Sequence, residues 1–180
     1  MIITQPVLND IPAMREIVRP EVERGVILER SAEVMANMIR SYRVAWEEQE
    51  VLKNKEFLDS NFGKLILENK LLRAMKNPIM LGFCALHLHS TTLAEIRSLI
   101  VTPKAQRLGV ATALIRDCEK EAKALGIKEI LVLTYKRTLF EKLDFMEISK
   151  DKIPNQKIWA DCILCKHFPL CEEIALIKEI

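Results

Sequence analysis

LAEIRSLIV (residues 93–101), TPKAQRLGVA (102–111) and TALIRDCEKEAKALG (112–126) follow one another directly. The first segment is rich in β-branched residues, reads as a strand over Leu93–Val101, and is stopped by Pro103. The third, with Ala111 just before it, places Ala111, Leu114, Ile115, Cys118, Ala122 and Leu125 at helical spacing, and Gly126 sits where such a helix ends. Between them, Gln106-Arg107-Leu108-Gly109-Val110-Ala111-Thr112 is a turn that delivers one glycine into a helix N-terminus. Unpaired amides and the positive end of the helix dipole make that terminus a site for phosphate oxygens. Gly109, lacking Cβ, lets the backbone approach a ligand closely.

Working outward, IMLGFCALHLH (79–89) reads as a strong strand pairing antiparallel with Leu93–Val101. Strict alternation puts Met80, Gly82, Cys84, Leu86 and Leu88 on one face, and Leu81, Phe83, Ala85, His87 and His89 on the other. The two histidines, without a clear third ligand, read as structural or as lining a pocket rather than as a metal site. KEILVLTY (128–135) is a buried strand, Arg137–Leu143 a short helix, Phe145–Ile148 a returning strand, and Glu173–Lys178 a closing one.

Toward the N-terminus, Ile2, Ile3 and Val7 suggest a short strand. A helix opens at Asn9-Asp10-Ile11-Pro12, with Ile11, Met14, Ile17 and Val18 inward. Pro20 is expected to kink or break it, and the chain to turn at Gly25. Ser31 caps the next helix, with Val34, Met35, Met38 and Ile39 inward, and Tyr42–Trp46 is a strand. Residues 47–78 are charged and rich in helix formers, and are predicted as a helical insertion serving as lid, dimer contact or decoration.

The 180 residues fit one domain, with ordinary apolar and charged fractions and a net charge of +2. That balance argues against nucleic acid and membrane surfaces as partners. No apolar run approaches a span, and MIITQPVLND lacks a signal pattern, so a cytoplasmic location with reduced cysteines is expected. Cys162, Cys165 and Cys171, with His167 adjacent, fall short of a convincing zinc site, so no metal is expected. A homodimer is left open.

The strand, the Gln/Arg-x-x-Gly-x-Gly/Ala turn and the amphipathic helix resemble the acetyl-CoA-binding motif of the GNAT N-acetyltransferases. The resemblance implies an α/β fold: a mixed, mostly antiparallel sheet with helices on both faces, splayed between the strands of Glu95 and Thr134. It implies acetyl-CoA as co-substrate, its pyrophosphate on the turn of Gln106, Arg107, Leu108, Gly109, Val110, Ala111 and Thr112. Its pantetheine would pair with backbone around Leu99 and Val101.

AEIRSL (94–99) and RPEVERGVILERS (19–31) are similar to segments of one branch, the N-acetylglutamate synthases, including short single-domain forms. Here the resemblance implies transfer of acetyl to the α-amine of L-glutamate, the first step of arginine biosynthesis. Glu95 would be the base, and Arg30, with Arg97, would hold the amino-acid substrate. Two departures matter. Where GNAT chains often carry a tyrosine acid, this chain has Phe140, and Asp144 replaces a glycine. The branch suggests instead a hydroxyl 39 residues after the base (134 − 95), which is Thr134, with Tyr135 second. The tail pattern resembles that of the short synthases, with Lys157, Trp159 or Lys166 near substrate. Without an amino-acid-kinase segment in this sequence, feedback by arginine through that route is not expected. Another amine acceptor, a non-catalytic acyl-CoA-binding module and a zinc-stabilised interaction protein remain as alternatives.

Overall fold

The computed structural model describes residues 1–47, 78–154, 161–168 and 170–180. The insertion expected at 47–78 lies, apart from its two end residues, outside these, as do Lys157 and Trp159. Among the described residues the strands are β1 (Ile2–Thr4), β2 (Tyr42–Trp46), β3 (Met80–Leu88), β4 (Leu93–Val101), β5 (Glu129–Thr134), β6 (Met146–Ile148) and β7 (Ile174–Glu179). The helices are α1 (Ile11–Glu23), α2 (Ala32–Asn37), α3 (Val110–Ala124) and α4 (Arg137–Glu141). The sheet order is β1-β2-β3-β4-β5-β7-β6. Every neighbouring pair is antiparallel except β4–β5, which is parallel and bridged by α3. This is the mixed, mostly antiparallel sheet that the sequence implied.

Helices cover both faces. Leu114, Ile115, Cys118 and Ala122 of α3 pack on Cys84, Leu86, Ala94, Ile96, Ile130 and Val132. Ile11 and Met14 of α1 and Met35 of α2 pack on the opposite face with Tyr42, Val44, Phe83 and Ala85. Burying each such Leu, Ile or Met contributes roughly 1.5–3 kcal/mol. The buried Arg43 of β2 also ties α3 to the sheet, pairing with Asp117 at 3.1 Å and with Glu121.

Two bulges break the simple alternation. In β3, Ala45 faces Gly82 while Trp46 faces Met80, so Leu81 is the extra residue. Met80 therefore packs with Phe83 and Ala85, while Leu81 joins the α3 side, which reverses the faces expected for both. In β4, Phe83 faces Ile100 and Ala85 faces Arg97, so Ser98 and Leu99 together oppose Cys84. Ser98 sits at φ 54. As a result Ala94 and Ile96, then Leu99 and Val101, face α3, while Ile100 faces α1 and α2.

The helix expectations need two corrections. Pro20 does not break α1, which runs through it to Glu23. Its ring sits on an exposed turn, where the carbonyl deprived of a donor can be hydrated. Gly25 ends the helix at φ 76, with Val26 N–H bonding Glu21 O at 2.8 Å and Gly25 N–H bonding Val22 O at 2.9 Å. Val34, expected inward alongside Met35, is exposed, while Met35 does face the core from the six-residue α2. Ser31 does cap α2, its Oγ accepting from Val34 N–H at 3.3 Å. Among the described residues no helix is long and apolar enough to cross a membrane.

Candidate active site

The parallel pairing of β4 and β5 lasts for three residue pairs, Leu93↔Glu129, Ala94↔Ile130 and Glu95↔Leu131. Beyond Glu95 the two strands part, and the β5-facing edge of β4 has no strand partner among the described residues. Leu99 and Val101 lie along this open edge, half-buried. Thr134 ends β5 three residues past the last pair, half-buried, with its Oγ1 accepting from Lys136 N–H at 2.9 Å. Its own hydroxyl proton remains available to donate. Tyr135 is exposed, and burial of part of its ring, with Glu173 nearby, holds its phenol above the usual range.

The edge leads to the N-terminus of α3. Gln106, Arg107, Leu108 and Gly109 are exposed, Val110 is buried, and Ala111 and Thr112 are half-buried. Gly109 is the N-cap at φ 81, and no side chain caps the helix. The first amides of α3 therefore face outward without a protein acceptor in the cap. A Cβ built on Gly109 would meet nothing within 4 Å, so its glycine answers to φ and to open space rather than to crowding. Arg107 is also left-handed, at φ 63. An open edge ending at an uncapped helix start matches a long ligand with a phosphate-bearing end.

Glu95 and Arg97 project from the α1/α2 side of β4, and Glu95 is 1% exposed. His89, after the end of β3, donates Nε2–H to Glu95 Oε2 at 2.9 Å. His87 lies opposite Glu95 in register and stacks edge-on against His89, ring centroids 4.9 Å apart. Burial, then the Arg97 charge, lowers the pKa of His87 to about 4, so its ring is neutral at pH 7.

Arg97 and Arg30, far apart in sequence, meet on one carboxylate. Asp161 Oδ2 accepts from Arg97 Nη1 and Oδ1 from Arg30 Nη2, both at 2.8 Å. Arg97 Nη2 also donates to Met38 Sδ at 3.2 Å. Burial and the neighbouring Arg30 charge lower the Arg97 pKa, and burial raises that of the nearby Tyr42.

The structure thus brings Arg30, Arg97 and Glu95 to one side of the sheet and puts Leu99, Val101 and Thr134 along the parting strands. Sequence reasoning missed Asp161 altogether and gave His89 no role beyond pocket lining. Asp161 sits in the Asp-Cys of the tail pattern, but nothing in its spacing announces two arginines as partners. Lys166, a substrate candidate, is exposed and lies with His167 against Gly25. Among the described residues no cluster of His, Cys, Asp or Glu could hold a metal. Phe140 is core, packed edge-on against Phe145 at 5.3 Å, and Asp144 takes the left-handed turn at φ 67. Cys118 is buried beside Cys84, sulfurs 3.4 Å apart, where the hydrogen bond with the Cys118 thiol, and then burial, hold Cys84 well above its ordinary pKa.

Among the described residues, a seven-stranded sheet parting at its one parallel pair, with an uncapped helix start at the bay, has the architecture of the acyl-CoA N-acyltransferase class. The chain belongs to the acetyltransferase (GNAT) family, whose model matches residues 32–145. It is 29% identical over 173 residues to an uncharacterised N-acetyltransferase of Chlorobaculum tepidum, covering 96% of this chain and 92% of that protein. Its fold is similar to Rv2747 of Mycobacterium tuberculosis, solved with CoA, at TM-score 0.73 and 17% identity, covering 100% and 99% of the two chains. It is similar also to N-acetylglutamate synthase of Neisseria gonorrhoeae, solved with coenzyme A and N-acetyl-glutamate, at TM-score 0.71 and 21% identity. That match covers 99% of this chain, which spans about a third (34%) of the synthase.

Proposed function

We propose that this chain transfers the acetyl group of acetyl-CoA to the α-amine of a small amino acid, with L-glutamate the first candidate. The observation that carries the reading is Glu95, buried beside the bay where β4 and β5 part, with two guanidiniums on the same face of the sheet. Acetyl-CoA supplies a thioester acyl group. The amides of Val110, Ala111 and Thr112 hold its pyrophosphate, and the open edge around Leu99 and Val101 holds its pantetheine. Gln106, Arg107, Leu108 and Gly109 form the approach to that phosphate site. Glu95 takes a proton from the acceptor's ammonium, directly or through a water, which frees the amine to attack. His89 fixes the rotamer of that carboxylate. A β4 backbone N–H polarises the thioester carbonyl. Thr134 donates to the departing thiolate, with Tyr135 the second choice. Arg30 and Arg97 recognise acceptor carboxylate, since guanidinium forks match carboxylate geometry.

One observation favours a second reading, an amine acceptor other than glutamate: Asp161 already takes one N–H from each arginine. Thiol release from acetyl-CoA across a panel of amino acids tests both. Turnover with L-glutamate supports the first reading, and turnover with another amino acid alone supports the second. Acetyl-CoA binding without turnover on any amine would discard both.

A further inference from the structure

Asp161 is anchored from a different part of the chain than either of its partners, 131 residues from Arg30 and 64 from Arg97. The cluster is well covered, with side-chain exposures of 15% for Arg30, 8% for Arg97 and 9% for Asp161. Yet its hydrogen bonding is incomplete. Each arginine gives Asp161 one Nη donor, and Arg30 Nε and Arg97 Nε are both buried with no partner among the described residues. An arginine facing a carboxylate at its best offers Nε and Nη together as a fork. Here one carboxylate is stretched across two arginines and fills neither fork. The two guanidiniums share the Asp161 carboxylate, and the buried Glu95 carboxylate also acts on Arg97.

We propose that Asp161 sets the affinity and selectivity of the acceptor site. Its carboxylate stands where an acceptor carboxylate belongs and must leave Arg30 and Arg97 for such an acceptor to bind. The inference rests on the amino-acid acceptor reading above. The exchange is chemically balanced, since one carboxylate replaces another on the same donors and Asp161 passes to water. An incoming carboxylate that engages Nε as well as Nη satisfies a donor that Asp161 leaves unmade. The tie also selects. An amine with no carboxylate has nothing to offer the arginines and leaves Asp161 seated. Apparent affinity for a carboxylate acceptor is reduced by the fraction of molecules in which Asp161 is seated.

The test uses the full chain with Asp161→Asn, which keeps the shape and removes the charge. KM is measured for the preferred amino acid and for a simple alkylamine, with acetyl-CoA affinity as the check on folding. The expected result is a KM for the amino acid lower by roughly tenfold or more, no such fall for the alkylamine, and a return toward wild type in Asp161→Glu. A tie that only braces the fold gives the opposite, a raised KM in Asp161→Asn. Hydrogen exchange on the wild-type protein needs no variant: saturating amino acid should speed exchange in the peptide carrying Asp161, and unchanged or slower exchange contradicts the proposal. Turnover in the wild type with an unchanged or raised KM in Asp161→Asn overturns this inference alone. No turnover on any amino acid, with no binding heat from L-glutamate, overturns the functional reading and this inference together.

Discussion

His89 Nε2 and Glu95 Oε2 meet at 2.9 Å across the end of the β3–β4 hairpin, and both side chains are almost fully buried. The contact fixes the imidazole tautomer, because a carboxylate can only accept, so the proton is on Nε2. It also holds one carboxylate oxygen in place and ties the hairpin turn after β3 to β4.

Removing that donor should disorient the base without deleting it. A hydrogen bond to a charged group is worth about 1.5–3 kcal/mol, so His89→Ala should lower kcat/KM by roughly ten- to a hundredfold. His89→Gln, which keeps an N–H near the same place, should recover part of the loss. Equal activity in all three proteins would remove His89 from the account.

The neutral state of His87 makes stability depend on pH. Its folded pKa, about 4, lies below the ordinary 6.5, so protons bind the unfolded chain preferentially between those values. The contribution is whole above pH 6.5 and is lost as pH falls toward 4. The melting temperature should therefore drop between pH 7 and pH 5, and His87→Gln should drop less. A larger drop in the variant would contradict the assignment.

Gly109→Ala separates backbone strain from crowding. At φ 81, with nothing within 4 Å of the new methyl, the cost should be the left-handed penalty of about 1–2 kcal/mol. Acetyl-CoA should also bind more weakly, since the methyl projects into the approach to the α3 amides. Calorimetric titration showing wild-type affinity would move the pyrophosphate elsewhere.

Gly82→Ala meets a different obstacle. Its Cβ would lie 2.3 Å from the Ile100 carbonyl oxygen, and backbone cannot step aside cheaply. Urea unfolding should show a loss of at least about 1–3 kcal/mol, the usual range for overpacking. A loss below half of that would mean that β3 and β4 are held less tightly than described.

Much of this architecture was legible because its signals are local. The β4–turn–α3 unit announces itself through Pro103, Gly109, the apolar spacing of α3 and Gly126. The last closes α3 at φ 79, with Ile127 N–H on Ala122 O at 3.0 Å. Glu95 and Arg97, two residues apart on β4, share a face by simple alternation, which holds up to Ser98. What alternation could not reveal was the bulges: one extra residue in β3 and one in β4 exchange faces, and neither Leu81 nor Ser98 is an unusual strand residue. Pro20 does not end α1, because a helix tolerates proline where the lost bond faces water. Asp161 was illegible for a different reason. Its partners are set by tertiary contacts across 131 and 64 residues, which no periodicity encodes.

The central claim is that Glu95 is the base of an acetyl transfer, and one comparison tests it most directly. Thiol release from acetyl-CoA is followed for the wild type and for Glu95→Gln, on the amino acid that the wild type prefers, with acetyl-CoA affinity measured for both. The account predicts a fall of roughly 10²–10⁴ in rate with acetyl-CoA bound equally well. A variant that binds acetyl-CoA and turns over at the wild-type rate would contradict it.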